Sequence, residues 1–315
     1  MPSNQEILRA VITTTTQGTP GSGLLSPDQF IAFYELAEEA TPWAQLQNTE
    51  KLKAHTGSVQ RIDYGEDVIR PATEAVDSGE FVSPSHDAVP YTMVKGRTSF
   101  KVSNEALTQS ADPNYQNKLV NGFTRAWGRS HQKLAWNGDT TSLNPMLLMN
   151  DGWLKTMEAS GNAVDGSTIN GGSIVIDHFQ AALQALPEAW QQRQDELKWG
   201  MTMTKWNQYT ASLSSRATGQ GDDAHRRGKN GEPLILGIEV VPVPTLTRTG
   251  DEDSIVLTTP ENTTVVMDPQ TFRLRAVTDG VTVVSQDIIA YFGFFYSDYV
   301  LLEVEGTSII HDLDN

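Results

Sequence analysis

The stretch from Phe100 to Gly138 limits the possible folds of this chain more than any other. It reads FKVSNEALTQSADPNYQNKLVNGFTRAWGRSHQKLAWNG, which predicts a short strand, a helical turn and then one long amphipathic helix from about Pro113 to Trp136. The helix is expected to stop at Asn137 and Gly138, since glycine and asparagine commonly close helices. At 1.5 Å per residue, such a helix is about 35 Å long.

The two faces of this helix differ in chemistry. One face is apolar and consists mainly of residues spaced four apart: Tyr115, Leu119, Phe123 and Trp127, with Leu134 further along. The face roughly opposite carries Arg125, Arg129 and Lys133, again four apart and therefore in one row. The basic row is either an ordinary solvated surface or a contact surface for an acidic segment or for DNA.

Composition excludes several classes of protein. The chain has 315 residues, 38% of them hydrophobic, which is enough for a sizeable core in one large or two ordinary domains. The absence of cysteine excludes thiol catalysis, thiolate metal sites and disulfides, and fits a reducing compartment. No apolar run approaches the ~20 residues that span a bilayer, and the start MPSNQEILRA is too polar for a signal peptide. We therefore expect a cytoplasmic site of synthesis.

The net charge of −16 argues against a protein that reads nucleic-acid sequence, because an acidic surface repels phosphate backbones. The same charge would suit the inner wall of a container for DNA, which should not adhere to its contents. It also serves solubility alone, and that interpretation is at least as good for most of these charges.

Two predicted strands enclose an acidic segment. Val59–Arg70 and Val89–Val102 alternate in the manner of half-buried strands. The segment between them, RPATEAVDSGEFVSPSHDA, has little apolar content. Because an isolated two-stranded ribbon is marginally stable, the segment is either a mobile loop or lies on another molecule.

A compact α/β pattern follows the long helix. It predicts a helix over Asp177–Trp190, a strand over Leu197–Met203, a helix capped by Thr204 and a glycine-rich loop before the strand LILGIEVVPVPTL. Strands are further predicted at 263–268, 271–277, 281–285 and 298–310.

Short signatures along this order are similar to those of a known family. Ser103, Glu105 and Leu107 precede the long helix, and Asn137, Gly138 and Asp139 follow it. In the second half, the strand signature includes Leu236, Gly237, Val240 and Pro242. Together these resemble the HK97-like major capsid proteins of tailed double-stranded-DNA bacteriophages, from about residue 26 to the end.

The resemblance implies an α+β fold of the HK97-like type. It divides the chain into an N-terminal arm (1–25), an N-terminal helix region (26–58), an extended loop or E-loop with its strands (59–102), a peripheral domain with the long spine helix (103–172), an axial domain (173–262) and return strands (263–315). It also implies a virion protein, assembled in the host bacterial cytoplasm, that forms pentamers and hexamers around packaged double-stranded DNA. Separate scaffolding, portal and possibly decoration proteins would be its partners, with no membrane.

Charge complementarity then selects candidate contact residues. We expect the acidic loop of one subunit to lie on basic surface of the next, with the basic row of the spine helix as the leading candidate. The candidates are Glu66, Asp67, Arg70, Glu74, Asp77 and Glu80 of the loop, with Arg125, Arg129 and Lys133 of the helix.

Two further expectations concern covalent changes. The best-known member of this family crosslinks a loop lysine to an asparagine of a neighbouring subunit, but here no lysine occurs between Lys53 and Lys95. We therefore expect no such crosslink in this chain. About 25 residues precede the first predicted helix, too few for the long pro-segment of some relatives, so we expect no large cleavage during maturation.

No motif points to catalysis, a cofactor or a metal. GTPGSG at 18–23 lacks the Lys-Ser/Thr of a phosphate-binding loop, and the six histidines show no metal-ligand spacing and are expected to be single surface residues. The acidic clusters around Asp253 and Asp312 are expected to be solvated turns. AHRRGK at 224–229 is the densest basic run, and either contacts phosphate or an acidic neighbour or is solvated.

Two other functions remain open. An encapsulin-type nanocompartment shell resembles the same fold but encloses a cargo enzyme. A soluble hydrolase or carbohydrate-binding protein, with a site formed only in three dimensions, is the alternative from another class.

Overall fold

The computed structural model describes residues 46–63, 85–103, 115–214, 233–244, 253–269, 273–277 and 285–313, with the single residues 83, 105 and 246. The expected N-terminal arm, the helix after it, most of the acidic loop and the glycine-rich loop lie outside these residues. So do the predicted strand at 281–285, except for its last residue, and all six loop candidates for subunit contact.

Thirteen strands and five helices organise the described residues. The strands are β1 Asn48–Lys51, β2 Thr56–Asp63, β3 Ser85–Thr92, β4 Val94–Ser103, β5 Ala163–Asp165, β6 Lys198–Met201, β7 Leu234–Ile235, β8 Ile238–Pro242, β9 Asp253–Thr258, β10 Thr263–Met267, β11 Arg273–Val277, β12 Ile288–Leu301 and β13 Ser308–Leu313. The helices are α1 Tyr115–Asn137, α2 Trp153–Glu158, α3 Ile176–Ala185, α4 Glu188–Gln191 and α5 Met203–Ser214.

The first sheet is organised around the long strand β12. β4 pairs antiparallel along one edge of β12, while β10 and β11 pair along the other, and β1 adds to β10 in parallel. From Tyr291 to Tyr299 the side chains of β12 alternate between buried and half-buried. This period of two means that one face of the sheet is covered and the other is open.

The spine helix α1 covers the buried face. Trp127 stacks on His131, and both rings meet Phe295 edge-on. Gly96 stands opposite Phe295 in β4, where a Cβ atom would lie 2.2 Å from the Phe295 ring. The close approach of ring and backbone therefore depends on a residue without a side chain.

The second sheet has the order β5-β13-β9-β6-β8-β7 and combines parallel and antiparallel pairs. Its core includes Phe179 of α3, Trp199 of β6 and Tyr209 of α5, with the Phe179 ring 5.0 Å from Trp199 and 4.9 Å from Tyr209. The central strand β9 is buried throughout, as expected for a strand covered on both faces.

A two-stranded hairpin extends from the first sheet. β2 and β3 pair antiparallel with each other, from Thr56 opposite Thr92 to Asp63 opposite Ser85. After Met93 the chain continues directly into β4, so a single residue connects the hairpin strand β3 to the first sheet. The acidic segment lies between the two hairpin strands in sequence.

Several sequence predictions need correction in the second sheet. The helix predicted over 177–190 is divided into α3 and α4, because Leu186 is extended (ψ 146°) before Pro187, as the residue before a proline prefers. Thr202 rather than Thr204 caps α5, since its hydroxyl accepts the backbone N–H of Lys205 at 3.3 Å. The predicted strand before it therefore ends at Met201.

The C-terminal strands also differ from the prediction. The strand expected over 298–310 is two strands in two sheets: β12 ends at Leu301, a turn of 3₁₀ helix spans 304–306, and β13 joins the second sheet. LILGIEVVPVPTL is divided into β7 and β8 by Leu236 and Gly237, which have φ values of 52° and 85°. This left-handed pair makes the two-residue turn of a hairpin.

Candidate assembly surfaces

The basic row of the spine helix is exposed, as predicted. Arg125, Arg129 and Lys133 all lie at the surface. Trp127 and Leu134 on the other side of the helix are 6% and 3% exposed. The two faces are thus confirmed, whereas the role of the row in subunit contact stays a prediction.

A second basic surface, which the sequence analysis missed, lies on the open face of the first sheet. The Lys95 ammonium lies 4.8 Å from the centroid of the Phe294 ring, and the Arg97 guanidinium lies 5.2 Å from that of Phe292. Lys101 is also exposed on β4. The alternation of Lys95, Arg97 and Lys101 in the sequence would have revealed this face, because residues two apart on a strand share a side.

The base of the hairpin is tied to the rest of the subunit. Tyr91 donates its hydroxyl to the carbonyl of Ala54 at 3.0 Å, and the backbone N–H of Thr92 donates to Asp298 at 2.7 Å. Arg61 on β2 forms an ion pair with Glu303 at 2.5 Å. The direction in which the hairpin leaves the sheet is therefore set by contacts at its base and by an ion pair along β2.

An exposed apolar loop follows the spine helix. Leu143 is 101% exposed and Leu148 is 49% exposed. Both belong to the stretch from Gly138 to Gly152, which we call the braced loop. Two exposed leucines thus lie within six positions of each other in the chain, and sequence analysis did not single them out.

The braced loop is held by a lysine between two aspartates. Lys155 Nζ lies 2.8 Å from Asp139 Oδ1 and 2.7 Å from Asp151 Oδ1. Hydrogen bonds from Lys155 and from Thr141 lower the pKa of Asp139 to about 2. These ion pairs stabilise the backbone conformation of the braced loop, which carries the exposed leucines.

A pocket of about 490 Å³ opens beside Arg61 of the hairpin strand β2. Trp190 and Pro260 give it apolar walls. Its charged lining residues are Arg61, Arg193, Asp195, Glu196, Lys198, Glu261 and Glu303.

The histidines are not all at the surface. His131 is 4% exposed and His178 is 0% exposed, so the prediction of single surface histidines is wrong for these two. Burial among aromatic rings lowers the pKa of His131 from 6.5 to about 3. His178 instead packs at the start of α3, where its Nε2 lies 3.1 Å from the Gly166 carbonyl.

Two aspartates of the acidic clusters lie in strands rather than in turns. Asp253 is the first residue of β9, is 8% exposed, and accepts the Thr202 hydroxyl at 2.8 Å. Asp312 belongs to β13 and lies 2.7 Å from His311 Nδ1.

One group in the described chain has donor atoms close enough to share a cation. Atoms of Asp165, His311 and Asp312 lie within 4.8 Å of one another. Asp165 Oδ1 already accepts the backbone N–H and the hydroxyl of Ser167. The arrangement is thus accounted for by local capping and pairing, and no metal is assigned to it.

The tryptophans of the described residues belong to the two hydrophobic cores or pack against them. Trp136, Trp153 and Trp199 are 0% exposed, while Trp190 and Trp206 pack against the second core from its edge. Within the described residues, no helix combines the length and apolarity needed to cross a membrane.

Comparisons with known proteins identify the fold. No protein-family model matches the chain, and no curated protein sequence does. A chain in the structure "Satellite phage P4 procapsid including size determination (Sid) protein" is similar over 100% of this chain and 98% of its own, at 14% identity and a TM-score of 0.69.

Two other shells are similar over most of their length. The SrpI encapsulin of Synechococcus elongatus PCC 7942 matches 87% of this chain and 88% of its own, at 12% identity and a TM-score of 0.57. The capsid of an empty GTA particle matches 87% and 90%, at 12% identity and a TM-score of 0.56. With its spine helix, its hairpin and its two sheets, the chain has the HK97-like α+β fold of phage capsid proteins.

Proposed function

We propose that this chain is the major capsid protein of a tailed bacteriophage. The observation that carries the proposal is the similarity to the P4 procapsid chain over 100% of this chain and 98% of that one. No large part of either chain is left without a counterpart, which supports a shared role for the whole subunit.

In the proposed mechanism, subunits associate laterally into pentamers and hexamers that close an icosahedral head around double-stranded DNA. Each contact contributes little binding free energy, but every subunit makes several contacts at once. In a closed shell, the loss of one contact therefore does not release the subunit. The hairpin would carry the acidic segment away from its own sheet and onto the next subunit. Separate scaffolding and portal proteins would direct size and packaging.

Two basic surfaces compete to receive the acidic segment. The basic row of the spine helix lies on one side of the first sheet, and Lys95, Arg97 and Lys101 lie on the other. The second surface also offers the partly open rings of Phe292 and Phe294. Charge reversal on each surface separately distinguishes the two.

Electron microscopy of the purified, recombinant chain tests the proposal. We expect closed shells of regular diameter, alone or with a scaffolding protein from the same genome. A monodisperse monomer under both conditions would contradict the proposal and favour the soluble hydrolase or carbohydrate-binding alternative.

The encapsulin-type nanocompartment is the second candidate, because the SrpI encapsulin matches 87% of this chain. The contents of particles from the native source separate the two functions. Double-stranded DNA protected from nuclease supports the capsid, whereas one co-purifying enzyme supports the nanocompartment.

A further inference from the structure

The pocket beside Arg61 lies at a junction of three parts of the subunit. Trp190 and Arg193 line it from the end of α4, Pro260 and Glu261 from the turn between β9 and β10, and Arg61 from the hairpin. A molecule bound here would contact the second sheet and the hairpin at the same time.

The cations of this pocket already have carboxylate partners. Arg61 pairs with Glu303, Arg193 with Glu196, and Lys198 with Glu239 at 3.1 Å. Asp195 and Glu261 are exposed, and no ion pair joins either of them to another described residue. The pocket rim therefore has an excess of negative charge.

The electrostatics around Arg193 support this description. Its pKa is raised, first by the hydrogen bond to Glu196 and further by the charges of Glu303 and Glu261. Several carboxylates thus already surround a single guanidinium. An added anion would be repelled, whereas an added cation would be attracted.

The walls suit the stem of a long basic side chain. The Arg193 guanidinium lies 4.5 Å from the centroid of the Trp190 ring, so the site already holds one arginine against an aromatic surface. Lysine and arginine place their methylene stems on apolar surface while the charged head stays at a polar rim. Pro260 and Leu302 add to the apolar wall, and Asp195 and Glu261 would meet the head.

We propose that the basic run Arg226, Arg227 and Lys229 of a second copy of this chain docks in this pocket. The run is the densest concentration of basic residues in the sequence, and its charge complements the rim. A contact between two different surfaces of identical copies is heterologous, and such contacts generate closed rings where the rotation between copies closes. The inference rests on the proposed function and assigns one contact within its pentamers and hexamers.

Charge reversal with rescue tests the contact in assembly. One variant carries Asp195→Lys and Glu261→Lys, and a second carries Arg226→Glu and Arg227→Glu. We expect each alone to lower the yield of shells by about tenfold, because two favourable pairs become repulsive. Mixing the two variants should restore hexamers, in which every loop meets a pocket of opposite charge. Asp177→Lys with Glu188→Lys makes the same charge change outside the pocket and should assemble normally.

Two outcomes would overturn the inference. Normal shells from both single-surface variants would show that the contact does not exist. Rescue only when all four substitutions are in one chain, and never by mixing, would show that the run occupies the pocket of its own subunit.

A binding measurement separates this inference from the proposed function. The synthetic peptide AHRRGKN, residues 224–230, should bind the purified chain in calorimetry at low salt, about tenfold more tightly than the peptide AHEEGKN. The Asp195→Lys and Glu261→Lys variant should lose this preference. If the wild type forms no shells, the proposed function fails while the peptide still reports on the pocket. Equal binding of both peptides would refute the pocket whatever the shells show.

Discussion

The ammonium group of Lys95 lies 4.8 Å from the centroid of the Phe294 ring, on the open face of the first sheet. Lys95 is thus held at the foot of the hairpin rather than at its tip. A cation over an aromatic face is stabilised there by the ring quadrupole. The first lysine after the acidic segment therefore belongs to the sheet and not to the segment itself.

The first prediction is that the shell contains no isopeptide crosslinks. No lysine occurs between Lys53 and Lys95, so no amine is available within the acidic segment. Purified particles boiled in detergent should release a single band at the chain mass of 34.6 kDa. A ladder of covalent multimers that disappears in the Lys95→Arg variant would show that Lys95 reacts after all.

The second prediction concerns the basic row of the spine helix. Arg125→Glu with Arg129→Glu should impair assembly and leave the subunit folded, because both side chains are exposed. Each exposed pair contributes only ~0.2–1 kcal/mol, but a shell repeats the pair in every subunit. Particle yield and the circular dichroism of the unassembled chain measure the two effects.

The matched variant for that experiment is Lys95→Glu with Arg97→Glu on the other basic surface. A defect in this variant alone would move the acidic segment to the open sheet face. Normal empty shells from the spine variant, with a defect only in DNA content, would instead assign the spine row to packaged DNA.

The third prediction concerns the braced loop. Leu143→Ser should lower shell yield several-fold if neighbouring subunits cover this loop, because burial of a leucine contributes about 1.5–3 kcal/mol. The melting temperature of the unassembled chain should not change, since Leu143 is 101% exposed and supports no core. Met203→Ser, at a residue that is 55% exposed, is the control on another surface. Equal yields from both variants would remove the braced loop from the assembly contacts.

The fourth prediction is a loss of stability in mild acid caused by His131. Burial lowers the pKa of this imidazole from its ordinary value of 6.5 to about 3 in the folded chain, so the unfolded state binds more protons between these two values. The contribution of neutral His131 to the free energy of unfolding is therefore fully present above pH 6.5. As the pH decreases below 6.5, the free energy of unfolding decreases by up to about 1.4 kcal/mol per pH unit. His131→Phe should reduce this slope between pH 6.5 and 5, measured by urea unfolding. An unchanged slope would contradict the assignment.

The fifth prediction compares two glycines. Gly96→Ala should destabilise the subunit by about 1–3 kcal/mol, because the added Cβ would lie 2.2 Å from the Phe295 ring. Gly122 lies in the spine helix, and apart from its chain neighbours and the nearby helix backbone no atom lies within 4 Å of an added Cβ. Gly122→Ala should therefore stabilise the chain by up to about 1 kcal/mol. Thermal unfolding of both variants under identical conditions tests the pair, and equal effects would show that Phe295 can move aside.

The spine helix could be predicted from sequence because its signal is local and long. The spacing of the apolar residues placed Trp127 and Leu134 on the buried face. Gly138 follows the last helical residue, Asn137. The order of helix, strand and helix in the second half was recovered for the same reason. The predicted boundaries of elements were wrong where a single residue interrupts a periodic pattern, as Pro187 does between α3 and α4.

The sequence by itself therefore determined the spine helix with its two faces and the helix, strand and helix that follow in the second half, because propensity and periodicity act between residues close in the chain. Only the tertiary structure decided which strands share a sheet. It placed β12 and β13 in different sheets although six residues separate them, and it set Lys95 beside Phe294 and Arg61 beside Glu303. Such contacts join residues roughly 200 or more positions apart, and their geometry depends on how whole sheets pack, which no local pattern encodes.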